Sequence, residues 1–211
     1  MRRLITLAFG MGLLIATIAT PATATTNTLT PLPNGEGHWL AGGAGEVSES
    51  SGLATVNANG AQITVKAVGL LPGHAFTMWV VYFNDGTQCT FGEMGPDTNC
   101  GFGDLLAGRG GIVFGDGKVI GGSGKATFSA HVNVGDDPDI GPPTVVPYDP
   151  SPDPDFHIII RSHGPKLPGQ VAEQTHSVGG GCLVELPPGQ LPVNDGECGD
   201  VQLYIFETVP A

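Results

Sequence analysis

The chain has 211 residues, with 34 glycines, 18 prolines and a formal net charge of −12 at pH 7. A negative charge of this size repels nucleic acid and anionic lipid head groups, and it argues against both as partners. It suits a soluble extracellular protein, or one that attracts cations.

The first 24 residues have the pattern of a secretory signal peptide. Arg2 and Arg3 form a basic start, residues 4–18 are apolar, and Ala22-Thr23-Ala24 provides the small-x-small pattern that a signal peptidase cuts. The apolar run is too short to serve as a membrane span. We therefore predict a secreted protein without a transmembrane span, in a compartment where cysteines oxidise.

Cleavage after this signal would leave 187 residues, among them six basic and 20 acidic ones, with a formal charge of −14. Residues 25–35 are predicted to form an N-terminal extended segment. Residues 36–211 are predicted to form a single domain, because no stretch among them resembles a flexible linker between two cores.

Four cysteines lie in this mature part: Cys89, Cys100, Cys182 and Cys198. An even number in an exported chain indicates two disulfides, for which three connectivities exist. We favour Cys89–Cys100 and Cys182–Cys198, because each pair brackets a glycine-rich polar loop. Each bridge should stabilise the fold by about 3 kcal/mol in the chain-entropy model. Zinc binding is the alternative, but no C-x-x-C motif occurs.

Apolar segments of β type alternate with turn residues along the mature chain. The predicted strands are 53–57, 62–70, 76–83, 112–114, 118–120, 125–134, 156–161 and 201–206. Hairpins are predicted at Asn59-Gly60 and Asp116-Gly117. Alternation in 125–134 places Phe128 inward and His131 outward. No segment shows a sustained helical period, so the sequence predicts an all-β protein, an antiparallel two-sheet β-sandwich with Greek-key connections.

Three long connections, 89–111, 135–154 and 165–198, separate the predicted strands. Loops of this length in a compact domain are either functional or disordered, and the two proposed disulfides favour ordered, stapled loops. The middle connection offers calcium the carboxylates of five aspartates, at positions 136, 137, 139, 149 and 153. It has no EF-hand spacing and is rich in proline, so a stiff surface loop is the alternative interpretation.

The predicted strand 76–83 is apolar on both faces. Alternate residues can fill a core: Phe76, Met78, Val80 and Tyr82. Trp79, Val81 and Phe83 then face the other way and need a cover, from the segment around Trp39, a stapled loop or a partner. Cover from within the chain is favoured. Left uncovered, Trp79 would be the natural anchor of a ligand-binding surface.

The segment 156–165 has the densest polar pattern. On a strand, His157, Arg161 and His163 share one face, together with Asp155. Arg161 and His163 lie close enough to bind one anionic ligand, such as a carboxylate. The alternative is that these residues are solvated or hydrogen-bonded on an outer face, with Arg161 paired to a carboxylate of the protein.

The histidines also suggest a site for a transition metal, as an alternative to calcium. His157 and His163 are separated by about 20 Å of strand, too far for one ion to reach both. Co-ligands for either would come from His74, His131 or His176.

Catalytic motifs are missing from the sequence. It contains no G-x-S-x-G elbow and no H-E-x-x-H motif. The cysteines are assigned to disulfides, and Ser162 and His163 are strand neighbours that point to opposite faces. We assign no catalytic residue, and an enzymatic activity has no support.

Two blocks of sequence resemble a family of exported bacterial β-sandwich proteins of unknown function. They are GLLPGHAFTMWVVYFN at 69–84, followed by Cys89 and Cys100, and FHIIIRSHGP at 156–165, followed by Gln174 and Gly180-Gly181-Cys182. The resemblance implies a bacterial, exported β domain and no particular activity. More distantly, the chain is similar to chordin-type domains and copper/zinc superoxide dismutase sandwiches, but it lacks the dismutase His-x-His, so dismutase activity is not expected.

These observations give three hypotheses. The first is a non-enzymatic extracellular module that binds a ligand or partner, using Trp79, His157, Arg161 and His163. The second is a metal-binding protein, or a metal-dependent enzyme, that uses His157 or His163 with other histidines. The third is a structural component of a surface or matrix, suggested by the stiff acidic loop.

Overall fold

The computed structural model describes residues 27–29, 37–40, 46–91, 100–149, 153–180 and 198–206. The predicted signal peptide, Cys182 and most of the segment 25–35 lie outside the described residues.

Ten strands and two short helices make up the described chain. The strands are β1 (Asn27–Leu29), β2 (Gly37–Trp39), β3 (Glu46–Val47), β4 (Ser51–Asn57), β5 (Gly60–Ala67), β6 (His74–Phe83), β7 (Gly110–Val119), β8 (Ala126–Asn133), β9 (Asp155–Pro165) and β10 (Cys198–Phe206). The helices are α1 (Phe102–Leu106) and α2 (Val171–Gln174), and a 3-10 turn spans Gly86–Gln88. Within the described ranges, neither helix has the length and apolar character needed to span a bilayer.

The strands form two antiparallel sheets that pack on each other. The first sheet has the order β1-β4-β5-β8, and the second has the order β3-β2-β10-β9-β6-β7. Ile63, Val65 and Phe128 of the first sheet pack in one core with residues of β6 and β9. The predicted all-β fold of two antiparallel sheets is therefore confirmed, whereas the Greek-key connections stay a prediction.

Strand β8 shows how alternation in the sequence becomes burial. Phe128, Ala130 and Val132 are buried, while Ser129 and His131 are exposed. This is the predicted pattern for a strand that has one face on a core and one in solvent. The prediction that His131 points outward is confirmed.

The predicted hairpin at Asp116-Gly117 is wrong. Both residues lie inside the continuous strand β7, which pairs with β6 along its length. A register shift occurs where Met78 pairs with Asp116 and Trp79 with Phe114, so Gly115 is the extra residue of a bulge. The Asp116 carboxylate accepts hydrogen bonds from the backbone N–H groups of Gly117 and Ser129, so it links β7 to β8 of the other sheet and does not turn the chain.

The other predicted hairpin exists with a turn one residue earlier. Asn57 pairs with Gly60, so Ala58 and Asn59 form the turn and Gly60 begins β5. Gly60 has a φ of +153°, and a Cβ there would overlap the carbonyl oxygen of Val132. The glycine is needed for the close approach of β8.

The outer face of the second sheet is covered by a stapled connection. Cys89 and Cys100 form a disulfide with Cα atoms 4.8 Å apart, as predicted. Buried Cys100 and Leu105 pack with Val81 and Phe83 on the face of β6 that points away from the main core. Strand β6 is therefore buried on both faces, and its cover comes from within the chain.

Candidate functional site

Arg161 is held by an ion pair on β9. Its Nη1 donates to Oδ1 of Asp200 at 2.7 Å, and its Nε donates to the carbonyl oxygen of Val178 at 2.9 Å. The alternative interpretation of this residue, a pair with a carboxylate of the protein, is the arrangement observed. Its guanidinium is therefore engaged within the chain, where a free anionic ligand would compete with Asp200.

His163 lies in a buried hydrogen-bonded relay. Its Nδ1 faces the carbonyl oxygen of Gly180 at 2.8 Å, and its Nε2 lies 2.8 Å from Oγ1 of Thr77. Because a carbonyl only accepts, Nδ1 carries the proton of the neutral ring, and Thr77 donates its hydroxyl proton to Nε2. Thr77 Oγ1 in turn accepts a hydrogen bond of 2.9 Å from Nε1 of Trp79.

The electrostatics of His163 favour the neutral ring that this relay needs. Burial is the largest influence and lowers the pKa of the imidazole, and the charge of Arg161 acts in the same direction. The Gly180 carbonyl and the Asp200 carboxylate oppose this shift without reversing it.

His157 is a polar residue that lies completely buried on β9. Its exposed fraction is 0%, and among the described residues neither ring nitrogen has a hydrogen-bond partner. The ring packs edge-on against Phe83, with 5.2 Å between the ring centroids. Burial lowers the pKa of His157 to about 4, and the negative charge of Asp104 opposes that shift. The residue is thus a buried neutral imidazole rather than a ligand-contacting group.

Trp79 has only 5% of its surface exposed, but it forms part of the wall of an open groove. The groove has a volume of about 490 Å³ and is lined by Trp79, Phe114, Asp139, Ile140, His176, Ser177 and Val178. It lies where the middle of β6 and β7 meets the connections that follow β8 and α2. We call it the Trp79 groove.

Three aromatic rings contact one another in sequence along the Trp79 groove. Trp79 meets Phe114 edge-on with ring centroids 5.6 Å apart, and the imidazole of His176 stacks on Phe114 at 5.2 Å with an interplanar angle of 26°. The backbone N–H of Phe114 donates to Oδ2 of Asp139 at 2.7 Å, which fixes a carboxylate beside the rings. The arrangement combines π faces, apolar side chains and one negative charge, as small-ligand sites do.

The five histidines of the metal hypothesis do not come together. His131 is exposed on the outer face of the first sheet, His157 and His163 are buried on β9, and His176 covers Phe114. His74 begins β6. In the parts of the chain that the structure describes, no group of three or more His, Cys, Asp or Glu side chains is placed to hold a metal ion.

Two of the aspartates considered for calcium bind backbone N–H groups instead. Asp136 accepts from the N–H of Asn133 at 2.7 Å, and Asp139 accepts from Phe114. Both contacts fall on strands at the edges of the two sheets, β8 and β7. The acidic connection therefore satisfies edge-strand donors that no neighbouring strand pairs with.

The sequence indicates Trp79 and His176 as candidate residues but not that they lie at one place. No sequence pattern singles out Phe114 or Val178, and Asp139 is predicted only as a calcium ligand. The predicted hairpin at Asp116-Gly117 divides β7 into two strands, and it therefore hides the continuous pairing with β6 that brings Phe114 beside Trp79. The pairing of Trp79 with Phe114 across the bulge is the one relation that could have indicated the groove.

No family model matches the chain, and no curated protein or solved structure shows significant similarity to it.

Proposed function

We propose that this protein is a secreted, non-enzymatic binding module of bacterial origin, a Greek-key sandwich that holds a ligand or partner in the Trp79 groove. The observation that carries the proposal is the aromatic array of Trp79, Phe114 and His176 beside Asp139, in a groove of about 490 Å³. Ligand sites typically have volumes of about 300–1,000 Å³ and combine an apolar lining with a few polar groups.

The rigidity of the wall supports this proposal. The indole of Trp79 is fixed by its hydrogen bond to Thr77, which is itself fixed by His163 and Gly180. A preorganised aromatic surface loses little conformational entropy when a ligand binds, so more of the contact energy appears as affinity. The segment that carries His176 and Val178 is anchored by Arg161 through the Val178 carbonyl.

The disulfide between Cys89 and Cys100 supports an extracellular location, because such bridges persist in oxidising compartments. The predicted signal peptide is consistent with this location. The resemblance to exported bacterial proteins supports the bacterial origin and leaves the ligand open.

A fragment screen on the mature protein tests the proposed site. Two-dimensional NMR spectra should be recorded with cationic, anionic, sugar and neutral aromatic fragments. We expect the binding fragments to shift the indole N–H of Trp79 and the methyl groups of Ile140 and Val178 together. Shifts that are spread over other surfaces, with these three signals unmoved, would overturn the proposal.

A blocking variant sharpens the test. Val178→Trp places a large side chain in the groove and should abolish the shifts of the Trp79 indole N–H and the Ile140 methyl groups. Leu71→Trp is the matched control, because Leu71 is 58% exposed and does not line the groove. Both variants should first show cooperative unfolding in urea, so that loss of binding is not confused with loss of fold.

A further inference from the structure

We infer that the Trp79 groove binds the guanidinium group of an arginine side chain presented by an extracellular peptide. This inference rests on the proposed function and names the ligand class for the same site.

Charge is the first argument for a cation. Asp139 lines the groove, and none of the described residues that line it is a lysine or arginine. Arg161 contacts the lining at the Val178 carbonyl, and its positive charge is paired with Asp200 at 2.7 Å. With a net charge of −12 on the whole chain, the field around the groove attracts cations and repels anions.

The aromatic rings favour a planar cation. Phe114 and His176 stack on each other at 26°, so a planar cation would lie on the outward face of the exposed His176 ring. Trp79 supports Phe114 through a T-shaped contact between the two rings. A guanidinium is flat and weakly hydrated, and it stacks on aromatic faces while it donates to a carboxylate. A lysine ammonium is a compact, strongly hydrated charge that gains less from such a surface.

The Asp139 carboxylate can accept a further hydrogen bond from a guanidinium. Oδ2 of Asp139 is 2.7 Å from the backbone nitrogen of Phe114. Within the described part of the chain, Oδ1 of Asp139 accepts no hydrogen bond, and a carboxylate can accept about four in all. Asp139 is therefore held in place by one oxygen and can accept from a ligand with the other.

The size of the groove favours a peptide over a free guanidinium ion. A volume of about 490 Å³ corresponds to a ligand larger than one guanidinium group. Ile140 and Val178 provide apolar walls for the methylene groups of an arginine stem, which pack on such surfaces when the charged head is paired elsewhere.

Three capped amino acids test the inference by NMR titration: the N-acetyl N-methylamides of arginine, citrulline and lysine. Citrulline has nearly the shape of arginine without its charge. We expect the arginine compound to shift the groove signals with an affinity about fivefold or more above that of citrulline, and above that of lysine. A capped Gly-Arg-Gly peptide should bind more tightly than guanidinium chloride, and the reverse order would overturn the assignment of a peptide.

Asp139→Asn is the decisive variant, since the asparagine can still accept from Phe114. This variant should remove most of the difference in affinity between the arginine and citrulline compounds. Asp137→Asn is the matched control, because it changes the net charge equally and does not line the groove. Equal binding of citrulline and arginine, or equal losses in the two variants, would overturn the inference. If only other fragments shift the groove signals, the assignment of a guanidinium ligand is wrong and the proposed function stands. If no fragment shifts them, both proposals are wrong.

Discussion

A single buried imidazole should make the stability of this protein sensitive to acid. His157 has no hydrogen-bond partner among the described residues, and burial holds its pKa near 4 in the folded chain. An unfolded chain has the ordinary histidine pKa of 6.5. Between pH 6.5 and pH 4 the unfolded state therefore binds a proton that the folded state does not, and the free energy of unfolding falls as the pH falls.

We predict that His157→Phe removes this loss of stability. The difference between the two pKa values corresponds to about 3 kcal/mol, so the variant should gain about this amount relative to the natural protein between pH 7 and pH 4. Phenylalanine keeps an aromatic ring against Phe83, and urea curves at pH 8 give the change due to packing alone. A constant difference in unfolding free energy from pH 8 to pH 4 would contradict the prediction. Because His163 is present in both proteins, its own contribution cancels.

The two histidines of β9 show what sequence can tell about a residue and what it cannot. Alternation correctly predicted that His157 and His163 face away from the core residues Phe156, Ile158 and Ile160. It could not predict their surroundings. His157 packs against Phe83, which clusters with Cys100 and Leu105, and His163 binds the carbonyl of Gly180. These segments are distant in the chain, and strand periodicity carries no information about which loop covers a face.

Among the strands, β7 depends most on glycine for its position. A Cβ at Gly117 would overlap the carbonyl oxygen of Thr175, which follows α2 and precedes the groove residue His176. The dipeptide Asp116-Gly117 resembles a hairpin turn, and that pattern led to the wrong prediction. Here the glycine is present because another segment passes close to the strand, and a local sequence pattern cannot distinguish the two causes.

We predict that Gly117→Ala destabilises the protein by about 1–3 kcal/mol, because an added methyl group has to displace backbone. The displaced segment carries His176, so the stacking on Phe114 should weaken and the NMR signals of both rings should shift. Gly121→Ala is the matched control: it lies beyond the end of the same strand, and its Cβ would have no neighbour within 4 Å. Urea unfolding of the two variants measures the difference, and equal stabilities would refute the close approach.

At the scale of the whole molecule, a third layer distinguishes this chain from two bare sheets. The main core lies between the sheets, and a second cluster lies between the second sheet and the connection that contains Cys89, Cys100 and Leu105. The apolar strand 76–83 predicted that such a cover exists, since both of its faces are apolar. The sequence left open which segment supplies it, because the segment around Trp39, a loop and a partner satisfy the same requirement.

The disulfide should therefore stabilise the whole molecule and not only its own loop. It closes a loop with a sequence separation of 11, for which the chain-entropy model gives about 3 kcal/mol. We predict that Cys89→Ala/Cys100→Ala lowers the unfolding free energy by at least this amount, since buried packing at Cys100 is lost as well. Dithiothreitol leaves the sulfur atoms present. Its effect on the natural protein, less its effect on the Cys89→Ala/Cys100→Ala variant, therefore gives the contribution of this bridge without that of the packing.

The same reagent tests the predicted bridge Cys182–Cys198, of which Cys182 lies outside the described residues. If that bridge forms, dithiothreitol must destabilise the Cys89→Ala/Cys100→Ala variant further, because one disulfide remains to be reduced. Peptide mapping of the oxidised variant should then recover residues 182 and 198 in one linked fragment. If dithiothreitol leaves the urea unfolding curve of this variant unchanged, Cys182 and Cys198 form no stabilising disulfide. The connection 165–198 would then be held by contacts such as those of Arg161 and His163 with Val178 and Gly180.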